Sequence, residues 1–512
     1  MKRIIRLLFS RLGVTAMIVA AELALLSVVL LRLSAYSVYF LIALVAVNLL
    51  AFVGVVNSND NPEYKLTWMG VILLVPFLGL VIYVLFHRHV MSARDVKRLS
   101  EVRDELDRGG RDVGAFTSLA ERDIGAAGKA MAILDIDETA EVFSGTEARY
   151  YPSGEAMYAD MLSDLDGAKK YVFLEYFIIE DGEMWRGIAE RLAELGKRGV
   201  DVRVMYDDIG CMGKLPRELT REGGIPGVKV CRFARVSADL RNMRRNNNRD
   251  HRKLCIIDGR VAYTGGVNIA DEYIGRCERF GVWKDSGIRL EGSAALGAVR
   301  LFLELWELAA QERGEIKEFF DTGAPVSSDG GYYIPFGSGP YPMYTKQSGK
   351  RAIVDIINQS QRYVYIMTPY LIIDYDLTEA LRGAVCRGVE VKLITPGVPD
   401  KPIVKVMTKG AYPYLLDGGV EVYEYTPGFL HSKAVVSDDQ YALVGTINLD
   451  YRSLVHHLED AVWIYASPVV ADIRRDFLDT LSSSHRMTGE EARLGPFAKL
   501  VRCMIRIFAP LL

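Results

Sequence analysis

The sequence predicts membrane helices at the N-terminus, followed by two similar α/β lobes with mixed β-sheets flanked by helices. Three observations predict this fold class. Long uncharged apolar segments crowd into the first 90 of the 512 residues. From residue 150 onward, the order of buried strand, helix and buried strand occurs twice. Each copy then reaches the same set of polar residues, 180 positions apart (431 minus 251).

Two N-terminal segments are long and apolar enough to cross a bilayer. Residues 35–56 and 67–86 carry no charge, and each reaches the roughly 20 residues that a spanning helix needs. The second segment is followed by four basic residues, Arg88, Arg94, Lys97 and Arg98. The positive-inside rule therefore predicts a multi-pass membrane protein in which residues 87 onward lie in the cytoplasm.

The apolar segment 12–31 is open to two interpretations. It is long enough to span, but Glu22 near its middle costs roughly 2.5–3.5 kcal/mol on insertion scales. The alternative is an interfacial helix that begins in the basic sequence before it. We predict a membrane anchor over residues 1–89 with two to three transmembrane helices.

Composition excludes several classes of protein. The net charge is −3, from 62 basic and 65 acidic residues, which argues against a nucleic-acid binder that works through a broad basic field. The six cysteines form no CxxC pair, so they fit reduced core thiols better than a disulfide framework or a zinc site. We predict no nucleic-acid partner.

The chain after the anchor divides into four predicted parts: a charged linker over 90–149, a first lobe over 150–320, a second lobe over 321–490 and a C-terminal amphipathic helix over 491–512. In each lobe a helix between the buried strands ends at a glycine, Gly199 or Gly388, which suits a helix C-cap. Strand, helix and strand at this length predict a parallel βαβ unit. The C-terminal segment is open to two interpretations, an interfacial helix on anionic lipid or a helix packed on the domain.

The polar residues of the two copies follow the pattern H-x-K-x4-D-x6-G-x-x-N. The copies are His251, Lys253, Asp258, Gly265 and Asn268, then His431, Lys433, Asp438, Gly445 and Asn448. Alternation along a strand puts each His and Lys on one face. Two such faces suit a phosphodiester, because ammonium and amide groups hold phosphoryl oxygens. One imidazole can attack phosphorus while the other protonates the leaving oxygen.

The two aspartates of the pattern allow two roles. Each can orient its His or Lys through a hydrogen bond, or each can cap the turn that follows the strand. The seven histidines form no metal-ligand set with cysteines or carboxylates along the sequence, so we predict no catalytic metal and no cofactor.

The pair of H-x-K-x4-D motifs resembles the phospholipase D superfamily, and the flanking sequence is similar to bacterial cardiolipin synthases. The similar stretches include "NRDHRKLCIIDGRVAYTGGVNIADEY" (248–273), "VWKDSGIRLEG" (282–292) and "PGFLHSKAVVSDDQYALVGTINLDYRS" (427–453). The resemblance implies two pseudo-symmetric phospholipase D-like lobes. It also implies transfer of a phosphatidyl group between two phosphatidylglycerol molecules through a phosphohistidine, giving cardiolipin and glycerol.

The resemblance implies a role for each residue of the pattern. His251 would be the nucleophile and His431 the general acid and base, although the residues alone do not rank them. Lys253, Lys433, Asn268 and Asn448 would bind phosphate. The supporting residues would be Asp258, Asp438, Glu459, Gly265, Gly445 and Thr446. The implied partners are phosphatidylglycerol and other anionic phospholipids, in a bacterial inner membrane, and the oligomeric state stays open.

Three other functions fit parts of the sequence. A phospholipase D-type hydrolase uses the same two histidines with water as acceptor. A nuclease of the superfamily is disfavoured by the apolar segments and by the near-neutral charge. A catalytically silent lipid-binding scaffold would need a broken motif, and both motifs are intact.

Overall fold

The computed structural model of the protein describes residues 24, 27, 37–58, 61–86, 91–108, 113–135, 137, 139–220, 224–235, 248–311, 316–320, 328–344 and 347–506. The chain forms two compact units, Met1–His89 with Cys503–Leu512, and Val90–Arg502. The predicted apolar segment 12–31 lies outside the described residues, except for positions 24 and 27.

The first unit contains three apolar helices, α1 (Ser37–Val56), α2 (Pro62–Leu74) and α3 (Pro76–Phe86). Over Val38–Val56, α1 is long and apolar enough to cross a membrane. The second predicted span, 67–86, is divided into α2 and α3, because Pro76 has no backbone N–H to continue the helix and α2 ends before Val75. Within the described residues, a single helix therefore meets the length and apolarity of a spanning segment.

The predicted linker is built into the second unit. It contains helices α4 (Ala93–Arg108), α5 (Val113–Arg122) and α6 (Ile124–Leu134). Leu99 and Leu106 of α4 pack in a core with β-strand residues of the first lobe, whereas Leu119 and Ile133 pack in the core of the second lobe. The predicted linker is thus a set of three helices that packs against both lobes.

The first lobe is a seven-stranded mixed sheet in the order β1-β7-β6-β5-β2-β3-β4. Its strands are β1 (Thr146–Tyr151), β2 (Tyr171–Tyr176), β3 (Asp201–Asp207), β4 (Val228–Phe233), β5 (Lys253–Ile257), β6 (Val261–Gly265) and β7 (Gly287–Gly292). Its helices are α7 (Gly154–Asp166), α8 (Glu183–Lys197) and α9 (Ala295–Ala310). The side chains of α7 and α8 bury one face of the sheet, and α9 packs on the other.

The second lobe repeats this plan in an eight-stranded sheet of order β15-β11-β10-β9-β12-β13-β14-β8. Its strands are β8 (Tyr332–Ser338), β9 (Tyr363–Met367), β10 (Glu390–Pro396), β11 (Glu421–Tyr425), β12 (Ala434–Ser437), β13 (Tyr441–Gly445), β14 (Glu459–Tyr465) and β15 (Ser484–Arg486). Its helices are α10 (Ser348–Gln359), α11 (Tyr375–Cys386), α12 (Pro402–Asp417), α13 (Val469–Ser482) and the C-terminal α14 (Pro496–Arg506).

The two lobes share one topology, as the sequence predicts. In each sheet, three consecutive parallel strands (β2-β3-β4 or β9-β10-β11) adjoin antiparallel strands that carry the repeated pattern. Gly199 and Gly388 follow the crossover helices with φ of 80° and 86°, which confirms the predicted helix caps. The duplicated sequence therefore folds as two equivalent α/β lobes.

Both motif aspartates lie in the turn at the far end of the motif strand. Asp258 and Asp438 adopt φ of 54° and 58°, the left-handed conformation of a tight hairpin. The Asp258 carboxylate accepts hydrogen bonds from the backbone N–H groups of residues 169–171 at 2.7–2.9 Å. The Asp438 carboxylate accepts from residues 361–363 at 2.7–3.0 Å. Each aspartate therefore stabilises the turn, the second of the two roles considered above. Its hydrogen bonds attach the hairpin to the start of β2 or β9.

We predict that Asp438→Ala lowers the stability of the protein and leaves the turnover of the folded protein unchanged. Three backbone N–H groups would lose a charged acceptor, so the free energy of unfolding should fall by about 2 kcal/mol or more. Denaturant unfolding of the detergent-solubilised protein measures this, with Asp479→Ala, an exposed carboxylate, as the matched control. Unchanged stability together with lost turnover would instead assign Asp438 to catalysis.

Candidate active site

The repeated pattern places two His-Lys pairs at the starts of equivalent strands. His251 and His431 are each 7% exposed, and Lys253 and Lys433 are 1% and 2% exposed. The Lys253 ammonium donates to the backbone oxygen of His251 at 2.6 Å. The Lys433 ammonium donates to the backbone oxygen of His431 and lies 2.8 Å from its Nδ1. Each pair is therefore a compact, desolvated unit of one imidazole and one ammonium.

Backbone hydrogen bonds between the lobes bring the two pairs into one site. The backbone N–H of His251 donates to the oxygen of Leu458 at 2.8 Å, and that of His431 donates to the oxygen of Lys284 at 2.6 Å. Both contacts belong to short parallel bridges between the lobes. The bridges are reciprocal, since the segment before β14 holds the first motif strand and the segment before β7 holds the second.

The imidazole of each motif histidine is oriented by a carboxylate from the opposite lobe. The Nδ1 of His251 lies 2.9 Å from Oε2 of Glu459, and the Nδ1 of His431 lies 2.6 Å from Oδ2 of Asp285. Both carboxylate side chains are fully buried. A carboxylate on Nδ1 fixes the ring and leaves Nε2 to face a substrate, because none of the hydrogen bonds found among the described residues uses either Nε2.

Sequence reasoning singled out Glu459 and missed Asp285. A signal exists in the alignment of the two copies. Gly265 pairs with Gly287 across the sheet, and Gly445 pairs with Ala461 at the equivalent place. Each carboxylate comes two residues before that partner, so superposing the repeats by strand register identifies both acids.

The motif glycines allow the close approach that delivers these carboxylates. A Cβ on Gly265 would lie 2.5 Å from the backbone oxygen of Ser286, and one on Gly445 would lie 2.3 Å from that of Asp460. Real Cβ atoms do not approach so closely, so any side chain at either glycine would push the next strand away. Both predicted supporting glycines therefore set the distance between the motif strand and the carboxylate.

The next position differs between the copies. The Thr446 hydroxyl donates to the carboxylate of Glu459. At the equivalent Gly266, a Cβ would lie 1.9 Å from Oδ1 of Asp285, so there is no space for a hydroxyl side chain. The predicted support from Thr446 thus acts on Glu459, and Asp285 has no counterpart contact from Gly266.

The two motif asparagines also lie in the site, with different partners. Asn268 donates from Nδ2 to the Tyr273 hydroxyl at 2.7 Å and accepts from the backbone N–H of Ile178 at 3.1 Å. The Oδ1 of Asn448 is buried and has no hydrogen-bond partner among the described residues. Buried polar atoms normally have partners, so this amide is available to a ligand in either flip state.

Burial lowers the pKa values of the two histidines and the two lysines of the site. It lowers the pKa of His251 well below the usual value, and the neighbouring Lys253 lowers it further. Burial and Lys433 lower the pKa of His431 to about 4, against the opposing effect of Asp285. Burial also lowers the pKa of Lys253 to about 8 and that of Lys433 to about 7. Both imidazoles are therefore uncharged at neutral pH without substrate, and an anionic phosphodiester would raise all four pKa values.

The two carboxylates differ in basicity. Burial favours the neutral acid at Asp285, but His431 and Lys433 outweigh it and hold the pKa below the usual value. At Glu459 burial dominates and raises the pKa, against the charge of Lys253. Asp285 is therefore ionised at neutral pH, whereas Glu459 retains a proton more readily, so the two imidazoles have unequal partners.

One group of described residues has the atoms of a metal site. Ligand atoms of His251, His457 and Glu459 lie within 4.8 Å of one another. The contact between His251 and Glu459 at 2.9 Å is a hydrogen bond, and the Lys253 ammonium acts on both residues. A buried ammonium disfavours a cation, so these donors fit an oriented imidazole better than a metal ion.

Two family models match the chain. The model described as cardiolipin synthase, phospholipase D-like domain, matches residues 161–286 and 353–481. These two matches contain the motifs and the cross-lobe carboxylates of both lobes. The model described as phospholipase D-nuclease N-terminal matches residues 46–88.

A solved structure supports the fold independently. Phosphatidylserine synthase of Haemophilus influenzae Rd KW20 superposes with a TM-score of 0.54 and 14% sequence identity, over 75% of this chain and 97% of that chain. At this identity the similarity shows the two-lobed fold alone.

Sequence relatives cover nearly the whole chain. An uncharacterised protein of Streptococcus mutans is 36% identical over 89% of this chain and 98% of its own length. A cardiolipin synthase of Halalkalibacterium halodurans is 30% identical over 93% of this chain and 94% of its own length, and cardiolipin synthase 2 of Bacillus cereus is 30% identical over 89% and 88%. The chain therefore belongs to the cardiolipin synthase family, the phosphatidyltransferases of the phospholipase D superfamily.

Proposed function

We propose that the protein is a membrane-bound cardiolipin synthase that transfers a phosphatidyl group between two phosphatidylglycerol molecules, giving cardiolipin and glycerol. One observation carries the proposal. Two buried His-Lys pairs meet in one site, and each imidazole is oriented by a carboxylate of the other lobe. This is a matched set of two acid–base groups and two cations, the groups that phosphodiester transfer requires.

In the first step, Nε2 of His251 attacks the phosphorus of one phosphatidylglycerol. A nitrogen–phosphorus bond forms, and the bond from phosphorus to the glycerol headgroup oxygen breaks. His431, protonated at Nε2 once the anionic substrate has raised its pKa, gives that proton to the leaving oxygen. Lys253 and Lys433 hold the phosphoryl oxygens and balance the charge of the transition state.

In the second step, a headgroup hydroxyl of another phosphatidylglycerol attacks the phosphohistidine. The oxygen–phosphorus bond of cardiolipin forms as the bond from phosphorus to His251 breaks. The hydroxyl proton passes to Nε2 of His431, which restores the starting protonation of the site. The remaining N–H of Asn268 adds a donor for the phosphoryl oxygens, and Asn448 adds another when its amide is flipped so that Nδ2 takes the position of the unpartnered Oδ1.

The anchor supports a membrane location through helix α1, which would cross the bilayer. Helices α2 and α3 fold back on each other, with the rings of Trp68 and Tyr83 5.3 Å apart, so the pair does not make a second end-to-end crossing. By the positive-inside rule, the basic residues after α3 favour a location of the lobes on the cytoplasmic side of a bacterial inner membrane. Phe497 and Leu500 of α14 are 80% and 58% exposed, which suits contact of this helix with a lipid surface.

The decisive test follows the products of purified protein given labelled phosphatidylglycerol in liposomes. We expect cardiolipin and free glycerol in equal amounts. Phosphatidic acid without cardiolipin would show a hydrolase of the phospholipase D type, and no turnover of any phospholipid would show a lipid-binding scaffold. Either result would overturn the synthase proposal.

The roles of the two histidines are tested by trapping the intermediate. We expect His251→Ala to abolish both turnover and the acid-labile labelled adduct. His431→Ala should still form the adduct with an activated donor whose leaving group needs no proton, while transfer to phosphatidylglycerol falls by about a hundredfold or more. An adduct that survives His251→Ala and is lost in His431→Ala would exchange the two roles.

The lowered pKa values of the two lysines predict that activity falls on the basic side of its pH profile. As pH rises through about 7 to 8, Lys433 and then Lys253 lose the proton that binds phosphate in the free enzyme. We expect kcat/KM to fall over this range. The fall in kcat should come at higher pH, because bound phosphate raises both pKa values.

Lys433→Arg checks the origin of this basic limb of the pH profile. Arginine stays protonated, so the variant should bind lipid with a flatter basic limb at reduced kcat. A limb unchanged in this variant would exclude Lys433 as its source.

A further inference from the structure

The two halves of the site differ at three equivalent positions. Two residues before the cross-lobe carboxylate the chain carries Trp283 in one copy and His457 in the other. Two residues before the motif histidine it carries Phe429 in one copy and Arg249 in the other. Five residues after the motif asparagine, it carries Tyr273 and Ser453 respectively.

The three aromatic members of these pairs all surround His431. Ring centroids of Tyr273 and Trp283 each lie 5.6 Å from the imidazole centroid of His431, and that of Phe429 lies 5.8 Å away. The rings also pack on each other, with Trp283 4.8 Å from Tyr273 and 5.0 Å from Phe429. His431 is therefore set in an aromatic enclosure.

The equivalent positions around His251 carry polar groups that already have partners. The His457 ring lies 5.6 Å from that of His251, and its Nε2 is 3.3 Å from the Arg452 guanidinium. Arg249 donates to the backbone oxygen of Ala234 at 2.7 Å. His251 also has one aromatic neighbour, Phe177, whose ring centroid lies 5.0 Å from the imidazole. Three rings therefore surround His431, whereas one ring and two polar side chains lie on the His251 side.

Trp283 differs from the core tryptophans in its exposure. It is half-buried, whereas Trp185, Trp306 and Trp463 are each 2% exposed or less. Its Nε1 has no hydrogen-bond partner among the described residues, which is also true of Trp185 and Trp306. Trp283 is the one of these that packs on His431, so a ligand hydroxyl bound beside His431 would supply the missing acceptor.

We propose that Trp283, Tyr273 and Phe429 form the subsite for the alcohol headgroup, and that this subsite makes the intermediate react with a glycerol hydroxyl rather than with water. Aromatic faces cover the carbon-bound hydrogens of a polyol, and the Trp283 N–H donates to a hydroxyl of it. The same rings limit the water beside the phosphohistidine. The inference rests on the proposed function. It places both alcohols, the leaving glycerol and the incoming headgroup hydroxyl, beside His431.

The chemistry of the site agrees with this assignment. The group that gives a proton to the leaving glycerol must also take one from the incoming hydroxyl, so both alcohols pass the same imidazole. In the intermediate, an alcohol held by the subsite attacks phosphorus, the bond from phosphorus to His251 breaks, and the proton moves to His431. Water in the same place gives phosphatidic acid by the same exchange of bonds.

The test measures how the common intermediate partitions. Purified full-length protein in liposomes receives phosphatidylglycerol and radiolabelled glycerol. Transfer is scored as label entering phosphatidylglycerol plus cardiolipin formed, and hydrolysis is scored as phosphatidic acid. The ratio does not depend on how much protein is folded or on how fast the intermediate forms, so a simple loss of stability lowers both products together.

We expect Trp283→Phe, which keeps a ring and removes the N–H, to lower the ratio of transfer to hydrolysis by about threefold to tenfold. Trp283→Leu, which also removes the ring, should lower it further and raise the glycerol concentration at which transfer equals hydrolysis. Tyr414→Leu, an exposed ring on α12, is the matched control and should keep the original ratio.

The outcomes separate the subsite from the function. An unchanged ratio in both Trp283 variants, with cardiolipin still formed by the unaltered chain, would overturn the subsite and leave the synthase intact. Phosphatidic acid as the sole product of the unaltered chain, with no label exchange, would overturn both, because there would be no preference for alcohol to explain.

Discussion

The hydrogen bond from each motif histidine to a carboxylate of the other lobe is the constraint on which the rest of the site depends. A buried imidazole beside a buried ammonium is costly unless an anion compensates for the charge. Neither lobe contributes that anion to its own motif, since Glu459 serves His251 and Asp285 serves His431. The reciprocal backbone bridges fix the same segments, so docking of the lobes and orientation of the imidazoles are one event.

Desolvation prepares this site for an anionic substrate. Lys253 and Lys433 are both held at pKa values near neutrality by burial, even though Asp285 and Glu459 lie close to them. Without a phosphodiester the site is thus not fully charged, and binding of one draws protons onto the lysines and one imidazole. In the proposed mechanism, the protonated histidine that acts as general acid would therefore form only when the phosphodiester is bound.

The sequence predicts the duplicated fold and the histidines, lysines and asparagines, because local patterns encode them. Strand alternation and repeat spacing are properties of short segments. Asp285 has no local signal, since its partner lies 146 residues away and the contact exists only after the lobes dock. The second apolar segment was predicted as one span from its length and apolarity, whereas its division into two helices depends on the one N–H that Pro76 lacks.

A duplicated scaffold with identical catalytic pairs would have no means to distinguish its two substrates. The motif glycines must stay, because any Cβ would separate the strands that carry the carboxylates. The two lobes can therefore differ in sequence at positions whose side chains contact the imidazoles but do not set the spacing of the strands. Trp283 and His457 occupy one such pair of positions. Three rings lie around His431 and one beside His251, so the two imidazoles would differ in their access by water. In the proposed mechanism, this difference would assign the phosphoryl group to one histidine and the alcohol to the other, although each has an equivalent strand, its own lysine and its own carboxylate.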